Sequence, residues 1–195
     1  KYIVISAHYD HLGIENGKVF NGADDNASGV SALLTMAKYL KQHPPKHAVI
    51  FVAFDGEEQD LQGSKYFVNS NIVPLNKITL NINMDMISRS DNNELFVVGT
   101  AYNSALKKVI SHTNFSKKIK LTRWHDGFDC KTDWTYSSDH TWFYKKDIPF
   151  LYFGVADHDD YHEPTDVFEN IQPEFYTEAV NTILSVFKKL DDYLY

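Results

Sequence analysis

The chain has 195 residues, of which 43% are apolar, and this length and composition fit one compact domain with a buried core. Its formal net charge of −7 and its two arginines, Arg89 and Arg123, argue against a nucleic-acid-binding surface. A single cysteine, Cys130, excludes an internal disulfide framework and a thiolate zinc cluster, and no run approaches the roughly 18 consecutive apolar residues of a membrane span.

The first half of the chain alternates predicted strands and helices. Residues 2–7 form a short apolar run, which is typical of a strand covered on both faces. A helical stripe of apolar residues follows Ser28 and ends before Pro44. A second apolar run at 48–54 predicts another central strand, and a weaker helix is expected near 62–69.

The second half continues this alternation. Strands are predicted at 78–84, where apolar and polar residues alternate, at 94–98 and at 150–153. Helices are expected near 103–112 and 138–145, and a long one runs from Pro173 nearly to the terminus. The order of elements predicts a three-layer α/β/α sandwich around a mostly parallel, mixed sheet. No linker divides the chain, so residues 1–195 are predicted to form a single domain.

The stretch from about 113 to 137 breaks the alternation and is predicted to be an elaborated loop. It carries Trp124, Phe128, Trp134 and Tyr136 among polar residues. Two interpretations are open at this point. The aromatic residues either form a small hydrophobic cluster beneath a long loop or belong to the wall of a substrate pocket.

Residues able to bind a metal ion follow the predicted strands. They are His8 after 2–7, Glu57 and Glu58 after 48–54, Asp85 after 78–84, and His162 in the loop after 150–153. Ligands of open α/β sheets bind beyond the carboxyl ends of the strands, so these side chains are expected at one rim. Asp25 joins them from a glycine-bracketed turn at 21–29, where the dipole of the following helix favours a carboxylate.

This set of side chains suits zinc. Two histidines and three carboxylates give each of two ions one imidazole and two carboxylates if one carboxylate, best Asp25, bridges them. Asp10 is placed to accept the second ring N–H of His8. Glu57 is predicted to be the general base, and Glu58 beside it a ligand. Taken singly, such pairs are more often solvated surface features, whereas their joint placement at strand ends favours a metal site.

A series of short segments, spread over nearly the whole chain, resembles the co-catalytic two-zinc aminopeptidases of metallopeptidase family 28, the leucyl-aminopeptidase-like enzymes. The segments are Ala7-His-Tyr-Asp-His11, Asn21-Gly-Ala-Asp-Asp-Asn-Ala-Ser-Gly29, Phe54-Asp-Gly-Glu-Glu58 with Gly63-Ser64, Asn83-Met-Asp-Met86, Ser138-Asp-His140 and Asp160-Tyr-His-Glu-Pro-Thr-Asp166. They occur in the order found in the family.

The resemblance implies a role for each of these residues. It places one zinc on His8, Asp25 and Asp85, and the other on Asp25, Glu58 and His162, with Glu57 as the base. It also selects Asp25 over Asp24 as the bridge and implies a cis peptide bond after Asp25. In some members the tyrosine that precedes the last histidine polarises the scissile carbonyl. Tyr161 occupies that place here, with a packing role as the alternative.

The implied function is that of an exopeptidase, a metal-dependent aminopeptidase that hydrolyses N-terminal peptide bonds through a water activated by two Zn²⁺ per chain. The substrate is a peptide or aminoacyl compound with a free N-terminus, and residues 113–142 are expected to hold an apolar or aromatic first residue. The alternatives are a single-zinc acyltransferase like the glutaminyl cyclases, which share the segment 54–58, and a non-catalytic binding domain. A tyrosine rather than a tryptophan before His162 favours the peptidase, and the two arginines disfavour a folate-hydrolase-type carboxypeptidase.

Family members usually have further strands and a helix before the strand that ends in His-x-Asp. The chain starts at that strand, so it is expected to lack an N-terminal part. An exported location, whether secreted, periplasmic or in the cell envelope, is expected from the family alone.

Overall fold

The structure is a computed structural model that describes residues 1–111, 115–127 and 132–195. Its described residues form eight strands: β1 Tyr2–His8, β2 Gly13–Glu15, β3 Lys18–Phe20, β4 Ala48–Phe54, β5 Ile78–Met84, β6 Glu94–Val98, β7 Lys120–Arg123 and β8 Phe150–Gly154. Six of them make the central sheet in the order β4-β1-β5-β8-β6-β7. Strands β4, β1, β5 and β8 are parallel, while β6 runs antiparallel to β8 and parallel to β7. The mixed, mostly parallel sheet is therefore confirmed.

Helices cover both faces of this sheet. They are α1 Gly29–Gln42, α2 Gln62–Asn69, α3 Ser104–Ser111, α4 His140–Tyr144 and α5 Pro173–Leu194. Apolar residues of α1, α3 and α5 pack with Ile3 and Ile5 of β1 on one face, whereas α2 and α4 pack with Val4 on the other. Successive side chains of a strand point to opposite faces, so a strand covered on both sides must be apolar throughout. This explains the continuous apolar run of β1 and confirms the three-layer sandwich.

Most predicted elements lie where the sequence placed them. The bounds of β4, β5, β6 and α2 agree with the predicted 48–54, 78–84, 94–98 and 62–69, and the other helices differ by a few residues at their ends. None of the described helices is both long enough and apolar enough to cross a membrane.

The prediction that the whole of 113–137 is a loop is wrong. The described part of this stretch contains β7, which pairs with β6 at the edge of the sheet, and Lys120 reaches Glu94 across the pair at 2.7 Å. Trp124 and Tyr136 are exposed, whereas Trp134 is half-buried. Phe128 lies outside the described residues. A four-residue strand with charged ends has too little apolar pattern to be recognised.

Candidate metal centre

The carboxyl ends of the parallel strands form the rim predicted from the sequence. His8 is the last residue of β1 and Asp85 directly follows β5. The loop after β4 carries Glu57 and Glu58, and the loop after β8 carries Tyr161 and His162. Asp25 reaches the same rim from the turn Ala23–Ser28 before α1. A cavity of about 330 Å³ opens at this rim. The predicted residues that line it are Asp25, Glu57, Glu58, Asp85, Tyr161 and His162. His8 lies buried behind them, against Asp25 and Asp85.

Asp25 stands between two histidines. Its Oδ1 lies 3.3 Å from Nε2 of His8, and its Oδ2 lies 3.2 Å from Nε2 of His162. Each histidine has a second carboxylate beside it. Nε2 of His8 is 3.2 Å from Oδ1 of Asp85, and Nε2 of His162 is 3.4 Å from Oε2 of Glu58. The five predicted ligands thus form two groups that share Asp25, which is the arrangement a bridging carboxylate requires.

The spacing of these atoms fits zinc. Zinc bonds to nitrogen and oxygen are about 2.0–2.1 Å long, so neighbouring ligands of a tetrahedral ion lie about 3.3 Å apart. The four distances in the two groups run from 3.2 to 3.4 Å. Imidazole nitrogens and carboxylate oxygens are also the donors that zinc takes where thiolates are absent. The residues present therefore fit an ion in each group.

The pKa values of the clustered side chains also favour a bound cation. Removal from water and the nearby Asp85 carboxylate raise the pKa of Glu57 to about 9. Burial opposes the charge on His8, yet Asp85, Asp10 and Asp25 together raise the pKa of its imidazole well above the ordinary value. Burial also opposes the charge on Asp25, but His162 and His8 lower its pKa. The raised pKa values of Glu57 and His8 show that the negative charges of the cluster are not balanced. A bound cation would balance them and stabilise the ionised carboxylates.

The turn Ala23–Ser28 fixes the direction of Asp25. The buried carboxylate of Asp166 accepts the backbone N–H of Asp24 at 2.9 and 3.1 Å and that of Asp25 at 3.0 Å. The side-chain amide of Asn26 donates to the carbonyl of Met84 at the end of β5. The peptide bond between Asp25 and Asn26 is cis, as the resemblance implied.

Asp24 has a different environment from its neighbour. It is fully buried, its Oδ1 accepts the backbone N–H of Ser88 at 2.7 Å, and its Oδ2 lies 3.0 Å from Nε2 of His158. Both oxygens are therefore occupied by protein groups. This difference accounts physically for the choice of Asp25 rather than Asp24 as the candidate bridge.

The carboxylate of Asp10 lies beside His8, as predicted, but it is not the nearest acceptor of the ring. The Nδ1 atom of His8 lies 3.1 Å from the backbone carbonyl of Asp10 but 3.6 Å from its carboxylate, which is beyond hydrogen-bond distance. The carboxylate instead accepts the backbone N–H groups of Glu57 at 3.1 Å and Glu58 at 3.2 Å. The backbone carbonyl of Asp10 thus contacts His8, and its side chain ties the backbone of Glu57 and Glu58 to the end of β1.

Tyr161 stacks on the imidazole of His162, with ring centroids 3.9 Å apart, and lines the cavity. Burial and the charge of Asp25 raise the pKa of its hydroxyl above the ordinary value, so the group stays a neutral hydrogen-bond donor at physiological pH. It therefore takes part in packing and also faces the cavity.

Four residues that line the cavity were not predicted from the sequence: Met86, Tyr152, Val155 and Asp157. Ser137 and Trp134 also line it, and both belong to the stretch 113–142 that was expected to hold the first residue of a substrate. For Trp134 a pocket role was one of two interpretations. Trp134 fits both, since it lines the cavity and stacks on His125 with centroids 3.8 Å apart. Tyr152 comes from β8, where an isolated hydroxyl in an apolar run was the only sequence signal.

The sequence of the chain is similar to those of known peptidases. The sequence matches the profile of "Peptidase family M28" over residues 1–187. It is 31% identical over 187 residues to Aminopeptidase YwaD of Bacillus subtilis (strain 168), covering 91% of this chain and 38% of that protein. It is 41% identical over 88 residues to the probable leucine aminopeptidase 2 of Aspergillus oryzae, covering 43% of this chain and 18% of the relative.

Solved structures share the fold. The crystal structure of BSAP, a zinc aminopeptidase from Bacillus subtilis, superposes with a TM-score of 0.74 at 27% identity, over 95% of this chain and 45% of that one. An aminopeptidase from Aneurinibacillus sp. strain AM-1 has a TM-score of 0.75 at 23% identity, over 95% of this chain and 42% of that one, and this second likeness is one of fold alone. The chain spans less than half the length of these relatives.

Proposed function

Since this chain belongs to peptidase family M28, we propose that it is the catalytic part of a zinc-dependent aminopeptidase, which removes the first residue of a peptide or aminoacyl compound with a free N-terminus. The observation that carries the proposal is the position of Asp25, whose two carboxylate oxygens each face a different histidine with its own second carboxylate. The relatives YwaD and BSAP, both named as aminopeptidases, support the same activity.

In the proposed site His8, Asp25 and Asp85 would hold one zinc ion, and Asp25, Glu58 and His162 would hold the other. When bound, the two ions supply Lewis acidity, which polarises the scissile carbonyl and makes water a stronger acid. The buried surroundings of His8 and Asp25 strengthen such electrostatic interactions, because little solvent screens them.

Glu57 is the proposed general base. One of its carboxylate oxygens lies within 4.8 Å of ligand atoms of both His8 and Asp85, and it lines the cavity. Its backbone is anchored by the hydrogen bond to Asp10, which limits the movement of the side chain. Cations that neutralise the neighbouring carboxylates would lower the raised pKa of Glu57, so that its carboxylate is ionised. In the proposed mechanism Glu57 then accepts a proton from the attacking water and passes it to the departing amine.

The remaining cavity residues are proposed to bind the substrate. Tyr161 donates a hydrogen bond to the scissile carbonyl oxygen, on which negative charge develops during attack. Met86, Trp134 and Val155 supply the apolar part of the wall, and we propose that they receive an apolar or aromatic first side chain.

The test of this function is the substitution Glu57→Gln. It removes the basic carboxylate but keeps the shape of the side chain, so the variant should still bind zinc while hydrolysis of aminoacyl anilides falls by about 10²–10⁴-fold. Glu163→Gln is the matched control, because Glu163 is an exposed glutamate of the His162 loop. Its turnover should equal that of the parent. A Glu57→Gln protein that cleaves the anilides as fast as the parent would overturn the proposed mechanism.

A further inference from the structure

His11 has no role in the mechanism above, yet it lies inside the metal centre. It follows β1, and only 9% of its side chain is exposed. Its Nδ1 lies 2.9 Å from Oε1 of Glu58 and 3.9 Å from Oδ2 of Asp25. Its Nε2 is buried without a hydrogen-bond partner among the described residues. The ring therefore makes one close polar contact, and that contact is to a candidate ligand of zinc.

The two oxygens of Glu58 have separate partners. Oε2 faces Nε2 of His162 at 3.4 Å, while Oε1 faces His11. An ionised carboxylate offers only acceptors, so Nδ1–H of His11 is the donor. The distance of 2.9 Å is that of a hydrogen bond and is shorter than the spacing of about 3.3 Å between two ligands of one tetrahedral ion. The contact thus fixes the rotation of the carboxylate and leaves Oε2 free for the ion next to His162.

The surrounding residues hold the His11 ring in this position. Gly22 has a left-handed backbone with φ 62°, and a Cβ added there would lie 2.8 Å from Cγ and 2.9 Å from Cδ2 of His11. The absence of a side chain at Gly22 therefore makes room for the imidazole. The ring also meets that of His162 edge to face, with centroids 5.9 Å apart.

We propose that His11 is a positioning residue that orients Glu58 and thereby sets the affinity of the ion held by Asp25, Glu58 and His162. The inference rests on the proposed function, since it presupposes two bound ions. Hydrogen-bond partners of metal ligands commonly change metal affinity by about 10–100-fold, so His11 should act on this ion and leave the ion of His8 and Asp85 unaffected.

The experiment measures the zinc affinity of the full chain by competition with a chromogenic chelator. His11→Phe keeps an aromatic ring beside Gly22 but removes the donor, so it should weaken one of the two ions by about 10–100-fold. His11→Asn places a side-chain N–H near the position of Nδ1 and should restore most of the affinity. His43→Phe is the matched control, because His43 is exposed at the end of α1. Thermal unfolding in EDTA shows that each variant is folded.

A second comparison assigns the effect to one ion. Asp85→Asn removes a proposed ligand of the ion next to His8 and should weaken the binding of that ion directly. The ion that still binds tightly is then the one next to His162. Adding His11→Phe to Asp85→Asn should weaken the binding of this ion by the same factor as in the parent. The inference is overturned if His11→Phe binds both ions as tightly as the parent does, if both ions weaken equally, or if His11→Asn is as weak as His11→Phe. A parent chain that binds fewer than two ions would contradict the proposed function instead.

Discussion

Replacing Asp166 with asparagine should weaken both the fold and the candidate metal centre. The carboxylate is 1% exposed and accepts the backbone N–H groups of Asp24 and Asp25 at 2.9–3.1 Å. Asparagine keeps one acceptor oxygen but loses the charge, and its amide N–H group faces a backbone N–H of Asp24 or Asp25. Losing a charge-assisted hydrogen bond and leaving a buried donor unpaired costs about 2–4 kcal/mol. That is a large part of the total of about 5–15 kcal/mol that stabilises a typical domain.

A matched control is available at the opposite side of the fold. Asp191 also uses a buried carboxylate to accept two backbone N–H groups, from Lys46 at 2.7 Å and from His47 at 2.8 Å. Asp191→Asn should therefore lose a similar free energy of unfolding in urea with EDTA present. Only Asp166→Asn should also lower zinc affinity, because Asp25 belongs to the same turn. The reasoning is refuted if Asp166→Asn keeps the parent's stability, or if Asp191→Asn loosens zinc to the same extent.

Three further substitutions test other parts of the structure. Gly22→Ala puts a Cβ 2.2 Å from the carbonyl oxygen of Asp25 and strains a left-handed backbone, so it should cost about 1–3 kcal/mol in urea unfolding; an unchanged midpoint would contradict this close approach. Burial lowers the pKa of His140 to about 4 from 6.5, so the unfolded chain takes up a proton first on acidification. His140 should therefore lower the free energy of unfolding as the pH falls from 6.5 to 4, by at most about 1.4 kcal/mol per pH unit. His140→Phe should make the free energy of unfolding depend less on pH in this range, and an unchanged dependence would contradict the assignment to His140. Phe143→Ala empties a fully buried site of α4 and should cost about 3–5 kcal/mol without changing zinc stoichiometry, whereas a loss below about 1 kcal/mol would show that α4 is not part of the core.

The central strands could be predicted because burial on both faces leaves a continuous apolar pattern, as in β1 and β8. The small hairpin of β2 and β3 was not predicted, although Asn16 and Gly17 between its strands are the strongest local signal for such a turn, and both have positive φ in the structure. Strand β7 could not be recognised in the same way. Its place is set by pairing with β6, and pairing between distant segments leaves no periodic mark in so short a run.

In the candidate site, too, features that follow from local sequence could be predicted, whereas contacts between distant segments could not. The positions of His8, Glu58 and Asp85 at one rim could be predicted because each of these residues follows an apolar strand in the sequence. The distinction between Asp24 and Asp25 came only from the family resemblance. Its physical basis is the contact of Asp24 with Ser88 and the distant His158, which depends on the path of the chain. His11 was left without a role for the same reason, since its contact with Glu58 joins two separate loops.

The most direct test of the account is anomalous diffraction at the zinc edge from crystals of the zinc-loaded chain. We expect two peaks, one about 2.0–2.2 Å from ligand atoms of His8, Asp85 and Asp25, and the other at the same distance from His162, Glu58 and Asp25. Both peaks should contact Asp25 through different oxygens. A single peak, or two peaks that do not share Asp25, would contradict the two-ion centre on which the proposed function depends.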